Sequence, residues 1–414
     1  MSKLCEMEGI NRKKVKLKIM IGNKIIVLLT LIISTSEIAR AQTILDPGQR
    51  NVITTAVPFL TIDANAQSLG SGSVGVVASD LYSHNGLEDN PAMLSRGKKI
   101  LGFQCSYVPW LRTLVPNVYL IGTGYYHSID KNNTIGLSAR FFSLGEIQFT
   151  DETGNPNGNA RPFETAIAFK YAHNFSEYFS IGTGIKYVHS DLTRGGTSGG
   201  RTFHPGRAIA GDLGFDYRRD LFHNDYFNLR WNAGLAFLNL GNKLTHSSRS
   251  ESDFLPQTVK LGNLFTLKCK IKNNNYIAGD LSYQASKLLV PTPSGINPDA
   301  SPLQGAFQSF YDAPGGFNEE SREIIHQFGT ESRISFADNK ILIALRGGYF
   351  HEHSTKGGRK FVTIGSGLGI AGFRLDLAYL LPTQQRHPMQ NTFAVSLGGR
   401  FNLDGKTFFR FTEQ

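Results

Sequence analysis

Long runs of alternating apolar and polar side chains restrict this chain to a narrow range of folds. Residues 206–218 show the pattern most clearly, and residues 226–239 and 372–381 repeat it. A period of two indicates β-strands with two different faces. The runs exceed the roughly 5–6 residues of an ordinary strand and reach the roughly 9–11 residues that a tilted strand needs to cross a bilayer. The pattern therefore favours membrane-crossing strands over the shorter strands of a soluble β-sandwich.

The same criterion divides most of the chain into strands. The predicted ranges are 100–108, 117–128, 133–144, 163–173, 179–190, 206–218, 226–239, 257–269, 275–285, 323–334, 340–350, 360–370, 372–381 and 391–402. Long connections, of which 286–322 is the longest, follow the odd-numbered strands, and short turns follow the even-numbered ones. Bacterial outer-membrane barrels have an even strand number, short periplasmic turns and long extracellular loops. We therefore predict an all-β fold, a 14-stranded antiparallel transmembrane β-barrel of the outer membrane, with periplasmic termini.

The composition agrees with an all-β membrane protein and excludes several other classes. Charged residues make up 18% of the chain, whereas roughly 25% is typical of soluble domains. The 44 glycines and the 11% of aromatic residues argue against disorder and against a coiled coil. A mean hydropathy of −0.20 is too polar for a bundle of membrane-spanning helices.

The first 41 residues have the features of a signal peptide. A basic stretch precedes the apolar run Ile25–Ile33, and Ala39-Arg40-Ala41 forms a small-residue cleavage site. We therefore predict three regions: a signal peptide at 1–41, a periplasmic or lumenal plug-like segment at 42–99, and the barrel at 100–414. Much of the formal charge of +10 lies in the signal peptide, so we expect no nucleic-acid partner.

Motifs that could carry chemistry are weak. Gly70-x-Gly72-x-x-Gly75 matches a dinucleotide-binding fingerprint, but no βαβ unit surrounds it. The histidines of His351-Glu352-His353 could converge on a metal, but no third ligand is evident. Cys105 and Cys269 lie far apart on predicted strands and do not imply a disulfide framework. We therefore expect no catalytic residues, no cofactor, no metal and no enzymatic activity.

The long connections contain apolar residues that would be costly on an extracellular surface unless they fold back or meet a partner. Such stretches are 109–116 in one connection and 287–291 and 307–317 in another. The predicted partner-binding residues are Trp110, Leu111, Arg112, Leu114, Leu288, Val290, Phe310, Tyr311, Asp312 and Phe317. Packing of these connections into the mouth of the barrel is an equally good interpretation of their apolar residues.

Several stretches in the same order along the chain resemble the PorV family of type IX secretion outer-membrane proteins of Bacteroidota. They are TTAVPFLTI (54–62), NPAM (90–93), YVPWLRTLVP (107–116), RFFSLGEIQFTD (140–151), HSDLT (189–193), KLLVPTP (287–293), FQSFYDAPGGFNEE (307–320) and GGYFHEHSTKGGRK (347–360). That family is similar in fold to the FadL fatty-acid transporters, so the resemblance also implies a plugged fourteen-stranded barrel.

The resemblance implies protein transport. A PorV-like protein would collect secreted cargo with a C-terminal β-sandwich signal at the translocon barrel (Sov/SprA-like). It would deliver the cargo to a surface attachment complex with a PorU-like sortase and PorQ- and PorZ-like components. Outer-membrane lipid would surround the barrel. A FadL-like channel for hydrophobic small molecules is the alternative, and a lipid-A deacylase would require a catalytic set that the sequence does not reveal.

Overall fold

The computed structural model describes residues 52–402 apart from 97–99, 113, 151, 152, 154, 193–196, 199, 200, 203, 247–251, 272–274, 293–299, 338 and 385–388. The predicted signal peptide 1–41, residues 42–51 and residues 403–414 lie outside the described residues. None of the helices within the described ranges is long and apolar enough to cross a bilayer.

The described part of the chain is built mainly of β-strands. In chain order they are β1 (Ile100–Pro109), β2 (Val118–Ser128), β3 (Asn133–Leu144), β4 (Ile147–Thr150), β5 (Pro156–Ala160), β6 (Phe163–Asn174), β7 (Phe179–Asp191), β8 (Thr197–Ser198), β9 (Arg201–Thr202), β10 (Gly206–His223), β11 (Phe227–Gly241), β12 (Thr258–Lys270), β13 (Tyr276–Leu288), β14 (Ile325–Phe336), β15 (Ile341–His351), β16 (Lys360–Ile370), β17 (Phe373–Pro382) and β18 (Phe393–Asn402). The pairs β4–β5 and β8–β9 form separate hairpins. The other fourteen strands form one closed antiparallel barrel, in which β1 pairs with both β2 and β18. The predicted fourteen-stranded barrel is confirmed.

Two strands, β10 and β13, end at least three residues beyond their predicted ends. β10 continues to His223 because it stays paired with β11 beyond the predicted end at 218. β13 continues to Leu288, which pairs with Thr258 of β12. Leu288 therefore belongs to the barrel wall, whereas the sequence placed it in a connection.

The two faces of the wall have opposite polarity. In β10 the carboxylates of Asp212 and Asp216 are buried inside the barrel, whereas Ile209 on the other face is exposed. Leu345 of β15 and Leu397 of β18 are exposed in the same way. A water-soluble protein buries its large apolar residues and exposes its charges. The reverse arrangement is that of a barrel whose outer face contacts lipid and whose interior is polar.

Residues 52–96 run through the interior of this barrel. They form the short helices Pro58–Thr61, Ala66–Gly70, Asp80–Leu87 and Pro91–Ser95. Phe59 stacks on Phe142 near the long connections, with ring centroids 6.0 Å apart. Leu94 packs with Tyr126 at the end with the short turns. The segment therefore crosses the lumen from the end with the long connections, called the mouth here, to the short-turn end.

Hydrogen bonds tie this segment to the wall. The Oε1 atom of Gln284 on β13 accepts the N–H groups of Gly75 (3.0 Å) and Val76 (2.9 Å). The hydroxyl of Thr363 on β16 accepts the Gly72 N–H at 2.9 Å and donates to the Gly70 carbonyl at 3.0 Å. The segment forms only short helices, so many of its backbone groups lack a partner within the segment. Polar side chains of the wall form hydrogen bonds with these buried backbone groups.

Glycines allow part of the segment to lie directly on the wall. Gly72 has a φ of 71°, a conformation that side-chain-bearing residues rarely adopt. A Cβ on Gly348 of β15 would lie 2.0 Å from the Gly72 nitrogen. This close approach accounts for Gly72 in the fingerprint-like stretch and for Gly348 opposite it on β15.

Buried charges also connect the segment to the wall. The Arg96 guanidinium pairs with the Asp216 carboxylate, with Nε 2.9 Å from Oδ2, and both side chains are fully buried. The Tyr82 hydroxyl donates to the Glu331 carboxylate at 2.5 Å, and the Arg374 guanidinium lies 4.0 Å from the Tyr82 ring centroid.

Arg96→Met should lower the free energy of unfolding by about 3–5 kcal/mol, because Asp216 would remain buried without its partner. The measurement is urea unfolding of the refolded protein in detergent, followed by the shift in gel mobility between folded and unfolded forms. Arg161→Met is the control, since its pair with Glu146 is exposed, and it should give no measurable change. Equal effects of the two substitutions would contradict the prediction.

Gly348→Val should push residues 70–73 away from the wall, because the added side chain would occupy the space of the Gly72 backbone. We expect ion conductance in planar bilayers above that of the unsubstituted protein. Gly279→Val is the matched control on β13, where a Cβ meets nothing within 4 Å. Equal conductance of the two variants would show that the close approach does not hold the segment in place.

Candidate functional site

The longest connection folds over the mouth of the barrel. Its described residues 300–324, called the cap here, contain the helices Pro302–Gln308 and Phe317–Arg322. Ser301 begins the first helix with a capping box, in which its hydroxyl accepts the Gln304 N–H and the Gln304 side chain accepts the Ser301 N–H. Proline at the first position of this helix fits the same start signal.

Four buried charged groups and the half-buried Glu319 join the cap to the rest of the mouth. The Lys287 ammonium at the end of β13 lies 3.1 Å from Glu320 and also contacts Glu323. The Lys356 ammonium, in the connection 352–359, lies 2.8 Å from Glu319 and 2.9 Å from Glu323. Glu323 bridges the two lysines. The network therefore links β13, the cap and a second connection, and each carboxylate is close to a cation.

Asp312 stabilises the cap from within. Its Oδ2 atom accepts the Thr292 N–H at 2.8 Å, and its backbone carbonyl accepts the Thr292 hydroxyl at 3.2 Å. Burial raises the pKa of the Asp312 carboxyl above its ordinary value, and the nearby Glu320 and Glu323 reinforce the shift. Asp312 thus acts as an internal contact, whereas the sequence suggested a polar anchor for a partner.

A cavity of about 310 Å³ lies at the mouth, between residues 52–63, the wall and the bases of the connections. Its apolar lining includes Trp110, Ile62 and Phe361. Its charged lining includes Arg140, which pairs with Glu88, and Lys260, whose ammonium lies 2.7 Å from Asp89. The charges near the cavity are therefore largely compensated, and apolar contact is the main interaction that the cavity offers.

The predicted partner-binding residues separate into two groups. Trp110 and Leu111 are half-buried against the apolar cluster at the mouth, and Trp110 and Leu288 line the cavity. Val290 is only 1% exposed and packs with Phe254 and Ala300. These residues fold back onto the barrel because their apolar side chains find partners there.

The other group is exposed at the surface. Arg112 is exposed, Leu114 is 63% exposed, and the aromatic residues of the cap are exposed by 54% at Phe310, 74% at Tyr311 and 86% at Phe317. The predicted partner-binding residues did not include Leu303 and Phe307, which are 64% and 71% exposed. The helical spacing of residues 303, 307 and 310 after Ser301-Pro302 could have identified both. The cap thus carries an exposed apolar surface, defined by Leu303, Phe307, Phe310, Tyr311 and Phe317.

The histidine motif has a local role in the connection 352–359. The His353 ring nitrogen Nδ1 accepts the Thr355 N–H at 3.3 Å, and Glu352 pairs with Arg359 at 2.8 Å. Burial lowers the pKa of His353, and the nearby Arg322, Lys360 and Lys356 lower it further. Across the described ranges, no three or more His, Cys, Asp or Glu side chains converge as metal ligands would.

Cys105 and Cys269 are free and exposed on β1 and β12.

A closed fourteen-stranded wall, an apolar outer face and a segment that fills the polar lumen define a plugged β-barrel of the outer membrane. Residues 46–295 match the family described as type IX secretion system protein PorV. The match spans more than half of the chain, so the chain belongs to the PorV family.

Solved structures with a similar barrel are remote in sequence. The Pseudomonas putida toluene transporter TodX is 12% identical, with 81% of this chain and 96% of that chain covered and a TM-score of 0.39. A Pseudomonas aeruginosa FadL homologue is 10% identical, with 85% and 99% covered and a TM-score of 0.36. The Ralstonia pickettii toluene transporter TbuX is 13% identical, with 83% and 97% covered and a TM-score of 0.39. No curated protein sequence is significantly similar to the chain.

Lys287→Met should loosen the cap, because it leaves Glu320 and Glu323 buried with less compensating charge. We expect trypsin to cleave after Arg322 at least about tenfold faster in the folded protein, since local opening exposes the site. Lys340→Met is the control, because Lys340 is an exposed lysine at the short-turn end. An unchanged cleavage rate in Lys287→Met would contradict a cap held by this network.

Proposed function

We propose that this protein is the type IX secretion shuttle that binds cargo at the translocon and delivers it to the cell-surface attachment complex. Membership of the PorV family supports a role in type IX secretion. The observation that carries the finer proposal is the exposed apolar surface of the cap. Cargo with a C-terminal β-sandwich signal would bind there.

The physical properties of this surface suit protein binding. Contiguous exposed apolar side chains are costly in water and commonly mark interaction sites. Aromatic residues bury a large area with few rotatable bonds, and they are frequent at the centres of interfaces. The ion network with Lys287 and Lys356 holds the cap before a partner arrives, so less conformational entropy is lost on binding.

The proposed orientation puts the mouth outside the cell and the short turns in the periplasm, as in other outer-membrane barrels. In this orientation the end of β18 is periplasmic. Residue 52 is at the mouth, where Ala56 N–H donates to the Phe254 carbonyl at 2.9 Å. The first described residues are therefore proposed to lie on the extracellular side, unlike the predicted N-terminus. A signal peptide at 1–41 would direct export.

The proposed partners follow from the same role. They are a Sov/SprA-like translocon barrel, a PorU-like sortase with PorQ- and PorZ-like components, secreted cargo, and the lipid around the wall. The proposal assigns no catalytic step to this chain, because binding and release of cargo require none.

A FadL-like channel for hydrophobic small molecules is the second candidate, and the apolar lining of the mouth cavity favours it. Transport through the lumen would require residues 52–96 to leave their hydrogen bonds with Gln284 and Thr363. The shuttle needs no such rearrangement, because its proposed surface is already exposed.

The triple variant Phe310→Ser/Tyr311→Ser/Phe317→Ser should reduce recovery of partners at least about tenfold, because it removes the aromatic contacts of the cap. The measurement is affinity purification of the tagged protein from detergent-solubilised outer membranes, with mass spectrometry of the bound proteins. We expect the unsubstituted protein to recover a large translocon barrel and proteins with C-terminal β-sandwich domains.

Ile129→Ser/Tyr178→Ser is the control, since both residues are exposed at the short-turn end. Both variants should keep the gel-mobility shift of a folded barrel. Equal recovery by the triple variant and the control would exclude the cap as the binding surface. Recovery of the barrel alone with a bound lipid would favour the channel.

A further inference from the structure

Three basic side chains form a row on the outer face of the wall, at the end with the mouth. His326 of β14 lies directly opposite His351 of β15, and His351 lies directly opposite Lys360 of β16. Alternation puts all three on the outer face, because the adjacent residues Gln327 and Phe361 are buried inside the barrel. This row, called the basic row here, therefore joins three neighbouring strands at one level of the wall.

An aromatic row lies next to the basic row on the same face. Tyr283, Phe328 and Tyr349 are paired side by side on β13, β14 and β15. Phe336 lies at the short-turn end of β14, about 26 Å along the strand from Phe328 at about 3.3 Å per residue. A strand tilt of about 40° reduces this length to a height of about 20 Å, close to the apolar band of about 25 Å that aromatic girdles enclose. The aromatic row therefore marks the boundary between hydrocarbon and headgroups at the mouth.

The basic row lies beyond this boundary, at the level of the headgroups. His326 and His351 are each two residues nearer the mouth than the aromatic row, a step of about 7 Å. Lysines at this level attract anionic headgroups while their aliphatic stems stay on the apolar wall. Within the described part of the chain, Lys360 makes no ion pair, and the row itself contains no carboxylate. An anion from the membrane is therefore the missing partner of this charge.

Two tyrosines of the aromatic row orient the histidines. The Tyr283 hydroxyl lies 2.8 Å from Nδ1 of His326, and the Tyr349 hydroxyl lies 3.3 Å from Nδ1 of His351. When each hydroxyl donates to Nδ1, the imidazole carries its proton on Nε2. Each ring then has an N–H group left to donate. Two such donors beside an ammonium match a phosphate, which has several strong acceptor oxygens.

We propose that the basic row binds the phosphorylated headgroup of a membrane lipid in the leaflet at the mouth. The phosphate accepts hydrogen bonds from His326 and His351 and pairs with Lys360. The acyl chains lie along the apolar outer face, past the exposed Phe328 and Val362. In the proposed orientation this leaflet is the outer one. The site is separate from the exposed apolar surface of the cap, so it does not depend on cargo binding.

A second basic pair on the wall provides a matched control. His189 of β7 lies directly opposite Arg207 of β10, two residues nearer the mouth than the exposed Tyr187. Because Val188 between them is buried, this pair is also on the outer face. The residue on the other side of His189 is Thr165. The pair thus offers one imidazole and one cation at the same level, without a second histidine beside them.

The test is native mass spectrometry of the full-length protein in detergent, titrated with dioleoyl phosphatidic acid. We expect phosphatidic acid to bind at least about tenfold more tightly than phosphatidylcholine, because its phosphate can make charge-assisted hydrogen bonds that the choline ester shields. Equal affinities would overturn headgroup recognition. Inorganic phosphate at the same concentration should not displace the lipid. Displacement would assign the row to free phosphate and overturn the proposal of a lipid.

His351→Leu/Lys360→Leu should weaken binding of phosphatidic acid at least about tenfold, because it removes two of the three groups that contact the phosphate. His189→Leu/Arg207→Leu makes the same change in charge and should leave the affinity unchanged. Equal weakening by the two variants would show attraction to general surface charge and overturn the site.

Lys360→Leu alone keeps both histidines with their tyrosines and should weaken binding at least about threefold. Retention of the gel-mobility shift checks that each variant is a folded barrel, and the single variant carries the test if the double variant loses the shift. An affinity for phosphatidic acid that is unchanged in folded Lys360→Leu would overturn the role of this charge.

Discussion

Closure of the sheet is the constraint on which the rest of the structure depends. Lipid offers no hydrogen bonds, so every backbone N–H and C=O of the wall needs a partner within the protein. The pairing of β1 with β18 removes the last open edges inside the membrane. Closure then fixes which side chains face lipid and which face the lumen, because the side-chain period is two. In the described part of the barrel wall, β10 keeps one edge open beyond Tyr217, where it extends past β7.

The closed wall creates a second requirement inside the barrel. Its inner face carries charged groups such as Asp216 and Glu331 that are removed from bulk water. Residues 52–96 bring the partners for these groups, with Arg96 bound to Asp216 and Tyr82 bound to Glu331. In return, Gln284 of the wall pairs the backbone of the segment. The lumenal segment therefore pairs the buried charges of the wall, and the wall pairs the buried backbone groups of the segment. This mutual pairing favours a permanently filled interior over a movable plug.

The strands were predictable because their periodicity is a local property of the sequence. The ends of β10 and β13 were less predictable, because pairing with β11 and β12 extends them beyond the alternation. The path of residues 52–96 had no periodic signal, since short helices and wall contacts determine it. At the mouth, the exposure of the cap aromatics depends on which apolar residues pack against other parts of the protein. Val290 packs against Phe254, and no pattern in the sequence predicts that contact.

The mouth differs from the lumen in what it offers to a partner. The mouth carries apolar residues on a cap held by Lys287 and Lys356, which suits a broad protein surface whose affinity comes from buried area. Below the mouth, residues 52–96 fill the lumen and are hydrogen-bonded to the wall. Binding at the cap therefore needs no change in the wall or in the lumenal segment.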